Sequence, residues 1–143
     1  MIITEPKTAE DFERYYYLRW EILRKPWNKP EGSERDEMEN SCIHAMTIDD
    51  KGDVAAVCRL QFNSKEEGQI RYMAVKESFQ GKGIGSSIIR YMENKAIEGG
   101  IKYIVLHARE HAVSFYKNNG YKTMETSYLM WEEIQHFLMK KIF

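Results

Sequence analysis

The sequence lacks the features on which membrane, secreted and nucleic-acid-binding proteins depend. It has only two cysteines, Cys42 and Cys58, so we expect no disulfide framework and two reduced, non-catalytic thiols. No apolar run approaches the roughly 18–20 residues that span a bilayer, and the N-terminus carries no secretory signal. The 21 basic and 22 acidic residues give a net charge of −1, which argues against binding to nucleic acid or an anionic membrane surface. We therefore expect a cytoplasmic protein that binds neither.

The remaining composition is that of one globular domain. Hydrophobic residues make up 43% of the chain and charged residues 30%, which is typical of a folded protein rather than a disordered one. The length of 143 residues suits one domain, and the sequence shows no repeat or long linker. Residues 1–143 are therefore predicted to form a single domain whose core needs neither a disulfide nor a structural metal.

The N-terminal part predicts a helix with defined ends. Thr8 and Asp11 have the spacing of a capping box, in which each side chain bonds a free backbone N–H group. The Lys25-Pro26 pair ends the helix, because the residue before a proline is steered away from the helical region. Residues 27–40 are polar and are interpreted as a surface loop with one short helix. The apolar residues within the helix are spaced as one face: Phe12, Tyr16, Trp20 and Leu23.

The rest of the chain alternates strands with helices. The predicted order is β-α-(loop or α)-β-β-β-α-β-α-β-β, and the helices that join strands in the second half favour parallel pairing there. We therefore expect an α/β (α+β layered) fold. The predicted strands cover residues 43–48, 54–62, 69–75 and 101–106, and two more are predicted at about residues 121–126 and 136–141. The predicted helices run from Ile84 to Gly99 and from Ala112 to Asn118.

One segment carries a candidate binding site. After the strand that ends at Val75, three glycines stand at alternate positions, Gly81, Gly83 and Gly85, and a helix starts among them. The first N–H groups of a helix have no internal partners, and they lie at the positive end of the helix dipole. Such a position favours the binding of phosphate. The spacing fits neither the mononucleotide nor the dinucleotide phosphate loop. A tight turn without a ligand remains the alternative.

Two motifs together resemble the GNAT superfamily of acyl-CoA-dependent N-acyltransferases. The segment Gln80-Gly81-Lys82-Gly83-Ile84-Gly85 is similar to its pyrophosphate loop, Gln/Arg-x-x-Gly-x-Gly/Ala. About 30 residues later, Ala112, Phe115-Tyr116 and Gly120-Tyr121 match its companion helix in order and spacing. The N-terminal half, with Leu18-Arg19, Leu23-Arg24 and Asp36-Glu37, looks like a small bacterial branch of this family.

The resemblance implies a fold and a co-substrate. The fold is a mixed central sheet of about six to seven strands with splayed central strands, here 69–75 and 102–107, and flanking helices. Acetyl-CoA would insert between them, and Arg109 departs from the Asn or Gln that many members carry. No metal is implied, and we reject His107-x-x-x-His111 as a metal site. The residues expected to bind the co-substrate are Met73, Ala74, Val75, Gln80, Gly81, Lys82, Gly83, Ile84, Gly85, Ser86, Arg109, Ala112 and Phe115.

The resemblance also implies catalytic roles. Tyr116 aligns with the tyrosine that many members use as general acid towards the CoA sulfur, and a phenol still holds its proton at neutral pH. Many members take a general base from a glutamate in the strand that corresponds to 69–75, and none stands within it here. His107 and His44 titrate in the useful range and are the alternative bases.

The predicted function is N-acetyltransfer from acetyl-CoA to a primary amine, on a small molecule or a peptide, by direct attack. The acidic loop is expected to cover the acceptor mouth, where its carboxylates either attract a cationic amine or form a solvated face. The alternatives are an acyl-CoA-binding or sensing module without turnover and a structural domain with an empty loop. The sequence leaves the oligomeric state open, including a homodimer. The acidic residues of the loop are Glu31, Glu34, Asp36, Glu37 and Glu39.

Overall fold

The computed structural model describes all residues, Met1–Phe143. One mixed seven-stranded sheet with the order β1-β2-β3-β4-β5-β7-β6 forms its centre. No helix has the length and apolar character needed to cross a membrane. The strands are β1 (Ile2–Thr4), β2 (Ile43–Ile48), β3 (Val54–Phe62), β4 (Glu67–Val75), β5 (Tyr103–Arg109), β6 (Lys122–Met130) and β7 (Ile134–Ile142), and the helices are α1 (Ala9–Leu23), α2 (Ile84–Glu98) and α3 (Val113–Asn118).

The predicted fold class is confirmed, and the elements follow the predicted order. The Thr8 and Asp11 capping box is formed, and α1 ends just before Lys25-Pro26. The polar segment contains two short 3-10 turns, at Lys25–Trp27 and Glu39–Ser41, instead of one helix. Every neighbouring pair of strands is antiparallel except β4 and β5, which are parallel.

Predicted boundaries of β5, β6 and β7 are wrong for local reasons. β5 begins at Tyr103 rather than at Ile101, because the Ile101 N–H group still bonds the Ala96 carbonyl at the end of α2. β6 and β7 run further towards each other than predicted and leave a turn of three residues. Trp131 and Glu132 adopt positive φ there, at 52° and 60°, which is uncommon for residues other than glycine.

Helices cover both faces of the sheet and define two cores. On one face α2 packs Ile88, Ile89 and Met92 against strands β2 to β4, within a cluster that also includes Tyr116 and Tyr121. On the other face α1 packs Tyr15 and Leu18 against Met46, Val57 and Ala74. Both cysteines are free, and burial raises the pKa of the Cys58 thiol to about 12.

A buried ion network fixes the polar loop to the sheet. Arg19 of α1 and Arg59 of β3 are fully buried and both donate to the Glu39 carboxylate, at 3.0 and 2.7 Å. Arg59 also donates to Asp36 at 2.7 Å and holds the pKa of that carboxyl at about 2. A buried ion is stable only while it stays paired and hydrogen-bonded, so helix, loop and strand depend on one another here.

Removal of one charge from this network predicts a large loss of stability. In Glu39→Gln the guanidinium groups of Arg19 and Arg59 stay buried and lose their shared counter-charge, so we expect the free energy of unfolding to fall by about 3 kcal/mol. Glu37→Gln is the matched control, because Glu37 is exposed and forms no ion pair, and should change stability by less than about 0.5 kcal/mol. Urea denaturation measures both variants, and a loss below about 1 kcal/mol in Glu39→Gln contradicts the network's role.

Candidate active site

A cleft opens where β4 and β5 separate. The two strands pair only from Glu67 to Gln69 and from Tyr103 to Val105. Beyond these residues β4 keeps its pairing with β3 and β5 keeps its pairing with β7, so each strand follows a different neighbour. The resulting cleft has a volume of about 440 Å³ and is closed at its sides by the end of α1 and by the β6–β7 hairpin.

A bulge at Tyr72 shapes the β4 side of this cleft. Tyr72 has φ 54°, and the β3–β4 register shifts between Val57 and Arg59. The extra residue reverses the faces of the strand: Ile70 packs in the α2 core, whereas Ala74 packs in the α1 core. Simple alternation along residues 69–75 would predict Ile70, Tyr72 and Ala74 on one face, and the bulge shows that this prediction is wrong.

Cationic side chains surround the Tyr72 ring. The guanidinium carbons of Arg19, Arg59 and Arg71 lie 4.4, 4.8 and 4.9 Å from its centroid, and that of Arg24 lies 5.7 Å away. A non-glycine residue in the left-handed region costs free energy that its surroundings must offset, and cation–π contacts of this kind supply part of it. Residues of the buried network thus hold the bulge that shapes the cleft.

The glycine loop forms at the end of β4 as the sequence predicts. Gly83 is the N-cap of α2 with φ 81°, and Ser87 is the first residue whose N–H group bonds within the helix, to the Gly83 carbonyl at 3.1 Å. The N–H groups of Ile84, Gly85 and Ser86 have no partner in the protein. A Cβ on Gly85 would lie 3.0 Å from the Phe115 ring, so this glycine lets α2 contact α3.

The other residues predicted to hold the co-substrate divide into two groups. Lining the cleft are Met73, Ala74, Val75, Gln80, Arg109 and Ala112. Gln80 also donates to the Val75 carbonyl at 3.1 Å and so ties the loop back to β4. The second group lies outside the lining: Gly81 and Lys82 are exposed, whereas Phe115 packs against Gly85.

Tyr116 lines the cleft, and its side chain is buried. The ring packs against Phe115 and Tyr121, and the hydroxyl makes no hydrogen bond within the protein. Burial raises the pKa of Tyr116, so the phenol stays protonated at neutral pH. Its role as general acid stays a prediction.

The two predicted bases have different surroundings. His44 lies in the α1 core: its Nδ1 is 2.8 Å from the Tyr15 hydroxyl and its Nε2 is 2.7 Å from the Glu39 carbonyl, and it does not line the cleft. His107 lines the cleft, forms no hydrogen bond within the protein, and has a buried Nδ1 without a partner. Burial and the charge of Arg71 lower the pKa of His107, so the imidazole is neutral at pH 7.

The acidic loop does not place its carboxylates at the cleft. Glu39 and Asp36 bind Arg19 and Arg59 in the buried network, and Glu34 pairs with Arg35 at 2.8 Å. None of the five acidic residues of the loop lines the cleft, and Trp27 is the loop residue that does. The expectation that these carboxylates attract a cationic amine is therefore wrong.

Several residues that line the cleft were not predicted from the sequence. Gln69 and Arg71 are two residues apart on β4, and this spacing could have indicated that their side chains share one face of the strand. Tyr128 and His136 come together only through the β6–β7 hairpin, where their rings stack at 4.2 Å. Other lining residues that the sequence analysis did not select are Ile22, Leu23, Arg24, Tyr72, Leu106 and Met130.

Comparison with known proteins identifies the family. Residues 12–121 match the profile of the Acetyltransferase (GNAT) family. An uncharacterized N-acetyltransferase of Bacillus subtilis, YjcF, is 30% identical over 136 residues, which cover 94% of this chain and 95% of that protein. The chain belongs to the GNAT family of acetyltransferases. As a member it is an acyl-CoA-dependent N-acyltransferase.

Solved structures of this family share the complete fold. A protein from Lactobacillus plantarum superposes with a TM-score of 0.85 at 18% identity, over 99% of this chain and 97% of that one. An aminoglycoside 6'-N-acetyltransferase solved with coenzyme A superposes with a TM-score of 0.81 at 17% identity, with the same shares covered. At these identities the likeness shows the fold.

Proposed function

We propose that this GNAT protein transfers the acetyl group of acetyl-CoA to a primary amine, on a small molecule or a peptide, by direct attack. The observation that carries this proposal is the continuity of the cleft. It runs along the diverging strands from Gln80, at the start of the glycine loop, to Tyr116 and His107. The unpartnered N–H groups of α2 follow Gln80 in the same loop. The loop suits a pyrophosphate, and the lining of the cleft includes both a proton donor and a neutral base.

The residues that would hold acetyl-CoA follow from this geometry. The N–H groups of Ile84, Gly85 and Ser86 suit the pyrophosphate, because they are free and lie at the positive end of the helix dipole. The backbone of Met73 and Val75 faces the gap left by β5 and can pair with the amides of the pantetheine arm as an added strand does. The binding of coenzyme A by the aminoglycoside acetyltransferase supports this assignment.

Gly83→Val tests the assignment of the glycine loop. A Cβ at Gly83 meets no protein atom within 4 Å, so the new side chain would enter the space proposed for the phosphates. We expect the affinity for acetyl-CoA to fall at least about tenfold by calorimetry.

Gly52→Val is the matched control for this variant. Gly52 has φ 86° and equally open surroundings in the turn between β2 and β3, so both variants carry similar backbone strain. The control should lose similar stability and keep its affinity for acetyl-CoA. Unchanged affinity in folded Gly83→Val would refute the assignment.

Tyr116→Phe tests the proton donor. The change keeps the ring and removes the hydroxyl that protonates the leaving thiolate, so kcat should fall by about 10²-fold or more. The affinity for acetyl-CoA should stay nearly constant, because the lost interaction belongs to the transition state.

A second tyrosine variant separates chemistry from packing. The Tyr121 hydroxyl donates to the Glu93 carboxylate at 2.9 Å, and Tyr121 does not line the cleft. Tyr121→Phe should therefore lower stability and leave kcat within about twofold. Steady-state kinetics and thermal denaturation are measured on both variants. A kcat decrease below about threefold in Tyr116→Phe would make Tyr116 a packing residue only.

His107→Gln tests the base through its pH profile. A base acts in its neutral form, so kcat/KM should decline as the pH falls through the pKa of His107, which lies below the usual value of 6.5. The variant should lose at least about tenfold in kcat/KM, and this acidic limb should disappear. His111→Gln, which changes an exposed histidine at the same cleft, should keep the limb. An unchanged limb in His107→Gln would assign proton removal to another group or to water.

A binding or sensing module without turnover is the second candidate. Gln69 and Arg71 occupy the part of β4 that lines the cleft, and neither is the carboxylate base that many members carry there. The His107 ring, which lines the cleft and forms no hydrogen bond within the protein, favours the enzyme. Release of CoA thiol in the presence of amines decides between them, because a sensor binds acetyl-CoA and releases none.

A further inference from the structure

The cleft is lined by arginines and by no carboxylate. Three arginines and three histidines line the cleft, and aspartate, glutamate and lysine are absent from its lining. We call the three arginines the cationic wall: Arg24, Arg71 and Arg109. This composition opposes an acceptor that is only a cationic amine.

Two guanidinium groups of the cationic wall have no counter-charge. Arg24 and Arg109 both donate to the Leu23 carbonyl, at 3.1 and 3.0 Å, so their charged heads lie side by side at the end of α1. Neither forms an ion pair with a carboxylate. Burial and the charge of Arg24 lower the pKa of Arg109 to about 10.

The third arginine is only partly compensated. Arg71 reaches the Asp36 carboxylate at 3.3 Å, but Arg59 donates to both oxygens of the same carboxylate at 2.7 and 2.9 Å. One negative charge therefore serves two arginines, and the nearer one is fully buried. The Arg71 side chain keeps 36% of its surface exposed, so part of its hydrogen-bonding capacity remains available to a ligand.

Aromatic rings complete the walls around these charges. Tyr128 stacks on His136 at 4.2 Å and lies 5.4 Å from His107, and the guanidinium of Arg109 lies 4.6 Å from the Trp27 ring. Burial raises the pKa of Tyr128, and the charges of Arg71, Arg109 and Arg24 oppose that rise. The site thus combines flat apolar surfaces with convergent donors.

We propose that the acceptor is a primary amine that also carries an oxyanion, a carboxylate or a phosphate, and that the cationic wall binds this oxyanion. The inference rests on the proposed function and specifies its substrate class. Guanidinium groups bind carboxylate and phosphate through paired, charge-assisted hydrogen bonds. The same cations disfavour the protonated amine nearby, so the oxyanion compensates their repulsion while the amine is held in its nucleophilic, neutral form.

Matched pairs of amines test this substrate class. One arm compares O-phosphoethanolamine with ethanolamine, the other compares β-alanine with β-alaninamide, and spermidine serves as the purely cationic amine. We measure affinity by calorimetry with and without saturating CoA, and kcat/KM by thiol release with acetyl-CoA. The anionic member of at least one pair should be favoured by about tenfold or more, and the favoured arm identifies phosphate or carboxylate.

Two variants connect the preference to the cationic wall. Arg109→Gln keeps a donor for the Leu23 carbonyl, Arg71→Gln removes the more exposed charge, and each should reduce the preference at least about fivefold. Arg14→Gln is the control, because Arg14 lies on the exposed side of α1 and does not line the cleft; its preference should be unchanged.

The outcomes separate this inference from the proposed function. Failure of acetyl-CoA to bind contradicts the proposed function, and the acceptor affinities without CoA still test the cationic wall. The inference is overturned if the affinities are equal within both pairs, or if the neutral members or spermidine are preferred. It is also overturned if the anionic preference survives in both cleft variants.

Discussion

The sharing of two carboxylates between buried arginines is the constraint on which the rest of the structure depends. Glu39 and Asp36 lie in a polar segment that has little regular structure of its own, and Arg19 and Arg59 hold that segment against α1 and β3. Tyr72 stacks against the same guanidinium groups. The ion network thus supports a strained residue in β4, and that residue bends the strand at the place where the cleft must open.

The site follows from this bend and from the short β4–β5 ladder. A parallel pair that ended in full register would leave no gap, because backbone groups along both strands would bond each other. Here three paired positions are followed by divergence, and the freed edge of β4 leads directly into the glycine loop. The shape of the cleft and the stability of the fold therefore depend on the same ion network, because its arginines also contact the bulged residue.

Features that depend on neighbouring residues in the sequence could be predicted, and those that depend on distant partners could not. The capping box at Thr8, the helix stop at Gly99 and the glycine loop each follow from local backbone chemistry. The bulge could not be predicted, because Tyr72 has positive φ only where four arginines surround its ring. The turn at Trp131 and Glu132 lacks glycine, asparagine and proline. The partners of Asp36 and Glu39 lie some 20 residues away in both directions.

The same ion pairing accounts for the charge of the cleft. The sequence is nearly neutral, and its loop is acidic, which suggested an acidic acceptor mouth. Folding reverses that sign at the cleft, because Asp36 and Glu39 turn inward to neutralise Arg19 and Arg59 and no carboxylate of the loop lines the cleft. Arg24 and Arg109 are left with a backbone carbonyl as their common partner, and Arg71 is left with a share of Asp36. A charge balance over the whole chain therefore says little about a site, whereas the partners of each buried charge decide which sign remains for a ligand.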